Sequence, residues 1–399
     1  MELPRLVLHG RRERRLLAGH PWIYRNEVAE IRGEAAPGDL VAVVDAAGHW
    51  LGQGFYSPVS QICVRILSRR PEPIDEEFFR QRIATAIHRR LHFYPHERSV
   101  RLIFGEGDFL PGLIVDRYED YLVCQFLTVG VDRRRDMWVK LLVEELSPHG
   151  ILGRQDAPTR EHEGLARGTE ILYGSVPQRV KIRENGVPFW VDLQGGQKTG
   201  YFLDQKDNRR QLQSLITPGM RVLDAFSHTG SFALHALAYG AGEVVAVEIS
   251  PEAVALAREN ERLLRDEGLV PHAGSVRWET ANAFDYLRHL VRQDEMFDLC
   301  ILDPPAFTKG REAVQGAWRG YKEINLRAMK LLRPGGFLVT CSCSYHMNFA
   351  LFLQVVQEAA IDNHRTVQVV EYRSQAKDHP YLLSVPETAY LKCLIAQVF

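Results

Sequence analysis

The chain has 399 residues, 45% of them hydrophobic and 25% charged, with a formal net charge of −1. That length exceeds one compact core, so two or three domains are expected, and the neutral balance excludes a uniformly basic nucleic-acid binder while leaving room for local basic patches. No run of 18 apolar residues occurs, which excludes a membrane-spanning helix, and the start MELPRLVLHGRRERRLL lacks the apolar core of a secretory signal, which points to the cytoplasm.

From the N-terminus, short apolar strands alternate with turn signals: LVLHG, GDLVAVVDAAGHWLGQGFYS and QICVRILSR. Asp45-Ala46-Ala47-Gly48 is a hairpin turn between VAVV and HWLGQGF, and residues 1–72 read as a small β-barrel-like domain. Its first predicted helix carries Arg11, Arg12, Arg14 and Arg15, followed by His20-Pro21-Trp22-Ile23-Tyr24. Two readings stay open on composition. One is a solvated helix face beside a core tryptophan; the other is an RNA surface, with arginines for the backbone and aromatic rings for exposed bases. The stretches GRRERRLLAGHPWIY and GDLVAVVDAAGHWLGQGFYSP resemble the PUA domain of bacterial RNA-modifying enzymes, which implies the second.

A proline and acid linker, PEPIDE, leads into EEFFRQRIATAIHRRLHFY. Phe78, Ile83, Ile87 and Leu91 recur there near helical spacing, with Arg80, Arg82, Arg89 and Arg90 opposite. Hairpin strands, a helix over RRRDMWVKLLVEEL and further strands ending at Glu184-Asn185-Gly186 complete a central α+β domain, residues 75–188. The third domain, 189–399, alternates strands (RVLDA, LCILD, FLVTCSC) with helices of ten or more residues, the pattern of a doubly wound parallel sheet. A Pro334-Gly335-Gly336 turn precedes FLVTCSC, and a closing pair of strands supplies an antiparallel edge.

Arg221 to Glu248 reads as a strand, a small-residue loop, a helix and a second strand ending in a carboxylate, the unit that holds adenosine-type cofactors. Asp224 ends the first strand, Gly230 permits close approach, and Glu248 suits the ribose hydroxyls. The loop holds Phe226, Ser227 and Thr229 where a diphosphate site would need further glycines, so a smaller adenosyl ligand such as S-adenosylmethionine is expected. Asn282 either reads the adenine edge or caps the next helix.

Asp303-Pro304-Pro305-Ala306-Phe307 follows the next apolar strand, where such sheets place their binding crevice. Amino-group methyltransferases put the aromatic directly after the prolines; here it comes one place late. Thr340-Cys341-Ser342-Cys343-Ser344 ends a further strand, with both thiols on one face if the strand stays regular. The remaining cysteines, Cys63, Cys124, Cys300 and Cys393, form no C-x-x-C pair, so zinc is not expected. A thiolate beside an acid and an adenosyl pocket suits methylation at carbon 5 of cytosine, because that carbon becomes nucleophilic only after a thiolate adds at carbon 6.

GQKTGYFLDQKDNR, LDAFSHTGSF, DPPAF, GYKEIN, GGFLVTCSCS and KDHP…PETAYLK resemble the bacterial 23S rRNA 5-methylcytosine methyltransferases of the large-subunit I type. The resemblance implies a PUA domain, a central α+β domain and a Rossmann-like methyltransferase domain. It further implies 23S rRNA as substrate, Cys343 as nucleophile (with Cys341 in reserve), and Asp303 as the acid of the DPP element. It implies cofactor contacts from Asp224, Phe226, Ser227, Thr229, Gly230, Glu248, Asn282 and Asp303, with Gln197, Thr199, Phe202 and Asp204 near the methionine end. Arg11, Arg12, Arg14 and Arg15 are the RNA-binding candidates. A guanine amino-group methyltransferase and a non-catalytic RNA-binding assembly factor are the alternatives, and the oligomeric state stays open, a homodimer included.

Overall fold

A computed structural model describes residues 2–196, 199–271, 273–307 and 314–399. They form two compact units, neither contiguous: residues 1–182, 191–203 and 377–388 in the first, and 183–190, 204–376 and 389–399 in the second. No described helix is long and apolar enough to cross a membrane.

In the first unit, β1 (Arg5–Leu8), α1 (Arg14–Leu17), β2 (Trp22–Tyr24), β3 (Val28–Arg32), β4 (Leu40–Val44), β5 (Trp50–Tyr56) and β6 (Ile62–Ser68) open the chain. Their strands form one sheet in the order β2-β6-β5-β4-β1-β3, closed over Leu6, Leu8, Ile23, Val41, Val43 and Val64. The predicted arginine helix is only α1, one turn long, because Arg11 takes a left-handed backbone (φ 70°) that a helix cannot contain. There follow α2 (Glu76–Phe93), β7 (Ser99–Phe104), β8 (Leu113–Tyr118), β9 (Tyr121–Phe126), α3 (Val129–Asp132), α4 (Arg135–Leu146), β10 (Gly150–Arg154) and β11 (Thr169–Gly174). The second sheet runs β11-β10-β9-β8-β7.

These two sheets share a core. Phe55 of β5 stacks on Phe79 of α2 at 6.0 Å, and Arg134 lies 4.1 Å from the centre of the Phe55 ring. Apolar burial therefore runs from one sheet to the other, and both belong to one compact unit. The buried stripe of α2 differs from the expected one: it is Phe79, Ile83, Ala86 and Arg90, while Leu91 is exposed. Arg90 can replace an apolar residue because its guanidinium is fully satisfied. It pairs with Asp108 at 2.6 and 2.7 Å and donates to the carbonyls of Arg101 and Asp378.

The same kind of polar anchor explains why residues 191–203 and 377–388 leave the third predicted domain for the first unit. Arg154 donates to the carbonyls of Leu193 and Gly196. Thr199 donates to Asp116 at 2.5 Å, and the Asp378 carboxylate accepts from the amide of Arg101. None of these partnerships leaves a local signature in sequence.

A hairpin, β12 (Arg179–Glu184) and β13 (Val187–Asp192), turns at Asn185 and Gly186, both with positive φ as a two-residue turn of this type requires. In the second unit follow α5 (Lys206–Leu215), β14 (Arg221–Ala225), α6 (Ser231–Ala238), β15 (Glu243–Glu248), α7 (Pro251–Asp266), β16 (Ser275–Thr280), α8 (Ala283–Arg292), β17 (Phe297–Leu302), α9 (Val314–Leu331), β18 (Leu332–Ser342), α10 (Phe349–Asp362), β19 (Val367–Arg373) and β20 (Lys392–Val398). The seven strands run β16-β15-β14-β17-β18-β20-β19. The first five are parallel, and β20 enters antiparallel between β18 and β19. Val222, Leu223, Val244, Val245, Val247, Ile301 and Leu302 are fully buried, as expected where helices cover both faces of a sheet. Pro334-Gly335-Gly336 is not a separate turn. It lies inside β18 as a bulge, where Leu332 to Phe337 spans the length that Phe297 to Leu299 covers on β17.

In the same unit Arg209 of α5 and Glu184 of β12 form a buried bidentate pair, at 2.6 and 2.9 Å. Arg209→Met strands that carboxylate in the interior, so urea denaturation at neutral pH should register a loss of about 3–5 kcal/mol. The double variant Glu184→Gln/Arg209→Met should recover part of it. A loss below about 1 kcal/mol in the single variant would mean that water already reaches the pair.

Candidate active site

The C-terminal ends of β15, β14, β17 and β18 lie side by side and carry Glu248, Asp224, Asp303 and Cys343. The order of connection reverses between β14 and β17, which makes their carboxyl ends the topological switch point where such sheets bind ligands.

The loop from β14 to α6 is held in an unusual backbone. Phe226, His228 and Gly230 all have positive φ (70°, 50° and 84°), a conformation rare for phenylalanine. The amides of Phe226 and Ser227 donate to the carbonyl of Val247, which fixes the loop against the end of β15. Gly230 is required by packing: a Cβ there would meet the Trp278 ring at 2.5 Å. Thr229 is buried, with its hydroxyl 3.4 Å from His228 Nδ1 and its carbonyl accepting from Asn260.

Asp224 is completely buried. Its Oδ2 accepts from the amide of Ala233, while Oδ1, and in the same loop Ser227 Oγ, are buried without a partner among the described residues. Burial, then the charges of Asp303 and Glu248, push the Asp224 carboxyl well above its ordinary value, against the Ala233 amide. Two orphaned polar atoms within a cluster of three acids fit a ligand that brings donors and positive charge. S-adenosylmethionine has both, in its sulfonium and its ammonium. Glu248 already accepts from the amides of His228, Ile249 and Ser250, at 2.8–2.9 Å, which leaves one lone-pair site of about four for a ribose hydroxyl. Asn282 is exposed and caps α8, accepting from the Phe284 amide at 2.9 Å.

Asp303 accepts from Gln205 Nε2 at 2.9 Å, and Gln205 Oε1 in turn accepts from Asn208 at 2.6 Å. Gln205 is thus the residue of GQKTGYFLDQ that orients the acid, and it was not singled out in sequence. Its neighbour Asp204 accepts from the Tyr390 hydroxyl at 2.5 Å. Thr199 and the half-buried Phe202 belong to the first unit, and Gln197 lies outside the described residues. Phe307 joins an aromatic wall, 4.6 Å from Tyr321, 5.6 Å from Phe284 and 6.3 Å from Phe226.

Cys343 lies one residue past β18 and is the only one of the six cysteines that is not fully buried. Its thiol donates to the carbonyl of Pro304 at 3.9 Å, beside Asp303. Both flanking serines are buried and share one anchor: Ser342 Oγ and Ser344 Oγ each lie 2.9 Å from the Tyr321 hydroxyl. The serines aim the turn, and the cysteine between them faces the crevice. Cys341 is fully buried and sits opposite Cys393 on β20, so it is packed between strands.

In the first unit Arg11, Arg12 and Arg14 are exposed, but Arg15 is engaged. It donates to the Trp22 carbonyl and to Glu27, and stacks 4.3 Å over Tyr24. A cavity of 430 Å³ in the same unit is lined among others by Arg69, Arg70, Glu72, Arg82, Glu106 and Phe109, the last half-exposed.

Residues 6–69 match the family model of a PUA-like domain, and residues 163–396 that of an S-adenosylmethionine-dependent methyltransferase. A protein of Salmonella arizonae named ribosomal RNA large subunit methyltransferase I is 40% identical over 399 residues, covering 99% of this chain and 98% of that one. Its namesake from Shewanella frigidimarina is 41% identical over 402 residues, with 99% of each chain covered. Among solved structures, the methyltransferase-like SMU.776, in complex with SAH, superposes over 100% of both chains with a TM-score of 0.84 at 20% identity. That likeness carries the fold alone. With matches over nearly its whole length, the chain belongs to the ribosomal RNA large subunit methyltransferase I family of PUA-bearing, S-adenosylmethionine-dependent methyltransferases.

Proposed function

We propose that the protein methylates carbon 5 of a cytosine in 23S rRNA, with Cys343 as nucleophile and Asp303 holding the base. The observation that carries this reading is the thiol of Cys343 against the Pro304 carbonyl, next to Asp303, at adjoining strand ends. S-adenosylmethionine supplies the electrophilic methyl carbon, held by Asp224, Ser227, Glu248 and the Phe226 loop. The Cys343 thiolate forms a carbon–sulfur bond at carbon 6 and moves the ring's π electrons towards carbon 5. Asp303, oriented by Gln205, accepts from the exocyclic amine and so fixes the ring against the Cys343 thiol. Once carbon 5 has taken the methyl and given its proton to solvent, the carbon–sulfur bond breaks and its electron pair returns to Cys343.

RNA contact finds support in the exposed Arg11, Arg12 and Arg14 and in the arginine- and phenylalanine-lined cavity, a combination that suits backbone phosphates and unstacked bases. The packing of Phe307 into the aromatic wall argues against its stacking on an amino-group substrate.

The test is to map 5-methylcytosine in 23S rRNA from cells with and without the protein. One position should lose its modification in the deletion strain and regain it with the wild-type chain. Appearance of N2-methylguanosine in its place would sink the cytosine reading, and tight RNA binding without any transfer would point to an assembly factor.

A further inference from the structure

The mechanism above leaves one buried titratable group beside the nucleophile unused. Lys392 opens β20, with its Cα opposite Ser342 of β18, and only 4% of its surface is accessible. Its Nζ donates to the carbonyls of Ser344 and Tyr390, at 2.7 Å each. An ammonium has three protons, and these carbonyls use two. Among the described residues no carboxylate forms an ion pair with it. A buried cation is costly without a counter-charge, and two carbonyl dipoles from a strand end offset that cost only in part. The group that completes the arrangement is the thiol of Cys343, the residue next to the Ser344 carbonyl that the ammonium holds.

We propose that Lys392 is a positioning residue for the nucleophile: its ammonium, anchored on the Ser344 and Tyr390 carbonyls, holds the sulfur of Cys343 as a thiolate before the base arrives and again after the carbon–sulfur bond breaks. The proton of the thiol passes to solvent, and no other bond changes in this step. Burial lowers Lys392 to about 8, and the charge of Cys343 works in the opposite direction, so the amine remains largely protonated at neutral pH. Among the described residues, the ionisable or charged groups around this strand end include Asp303 past β17, Tyr321 on α9, Cys341 on β18, Arg373 on β19, and Cys393 and Tyr390, the latter hydrogen-bonded to Asp204. Asp303 opposes thiolate formation, which makes a nearby cation the more necessary.

This inference rests on Cys343 being the nucleophile, but its test needs no RNA. The rate of Cys343 alkylation by iodoacetamide is followed by peptide mass spectrometry between pH 5 and 10, in wild-type protein and in Lys392→Met. A neighbouring cation shifts a thiol by about one unit or more, so the variant should react about tenfold more slowly at pH 7, with its midpoint moved up correspondingly. Superimposable profiles in a folded variant would overturn the proposal, because a purely structural clamp changes stability without moving the midpoint. If Lys392→Met does not fold, the wild-type profile decides: a midpoint at least one unit below the free-thiol value of about 8.5 supports the proposal, and one at or above it overturns it. Loss of the alkylation shift with 5-methylcytosine still formed would remove the role of Lys392 alone. A Lys392-dependent shift without 5-methylcytosine in rRNA would remove the cytosine reading alone.

Discussion

Cys343→Ala protein should bind S-adenosylmethionine as wild type does and yet transfer its methyl to rRNA on the order of 10⁴-fold more slowly, or not at all. The two properties separate because the cofactor candidates lie on β14, β15 and their loops, while the thiol lies past β18. Truncation at this half-exposed position removes little packing, so the melting temperature should change little. Cys343→Ser should not rescue the activity, since a hydroxyl stays protonated where a thiol ionises. Wild-type RNA carrying 5-fluorocytosine at the target should accumulate as a covalent adduct, because fluorine cannot leave carbon 5 as a proton does. Wild-type turnover by Cys343→Ala, or an adduct that maps to Cys341, would end the assignment.

Asp303→Asn is the second substitution of large expected effect. Asparagine keeps the volume and still offers an oxygen to Gln205, so the local fold should persist. What it loses, in the proposed mechanism, is the second carboxylate oxygen that accepts from the exocyclic amine, replaced by an amide that can only donate there. A loss of about 10²–10⁴-fold in kcat is expected, with a much smaller change in KM for rRNA. Among the charges that raise the Asp224 carboxyl, Asp303 acts most strongly, so its removal should ease ionisation of Asp224. Cofactor affinity should therefore fall far less than kcat. An unchanged kcat combined with a raised KM would reassign Asp303 to ground-state binding.

The parts of the site that lie at strand ends were legible in sequence. Asp224, Glu248, Asp303 and Cys343 each lie at the end of an apolar run that alternates with helical segments, the pattern of a doubly wound sheet, and such strands deliver their ends to one crevice. What was not legible is what holds those residues in place. Gln205 reaches Asp303 across 98 positions, and Lys392 reaches the Ser344 carbonyl across 48. The Tyr321 hydroxyl that fixes both serines comes from the middle of a helix whose periodicity says only that the ring is buried. Arg15 and Arg90 show the same limit from the other side: runs of arginine look like solvated or RNA-facing surface, yet each of these is consumed by partners inside the fold. Local pattern encodes burial and period, whereas polar partnership across the fold depends on a register that no window of the chain contains.

The interleaving of the two units bears on how the protein is made and dissected. Arg90 and Arg101 of the first unit need Asp378, which is synthesised 288 and 277 positions later. During translation, the Arg90–Asp108 pair must therefore wait for almost the whole of the other unit to emerge before its last acceptor exists. An N-terminal fragment cut at residue 182, the natural choice for isolating the half with the PUA-like domain, would leave that guanidinium one acceptor short and the Arg101 amide without its carboxylate partner. Supplying residues 377–388 as a separate peptide is then a more informative complement than lengthening the fragment step by step.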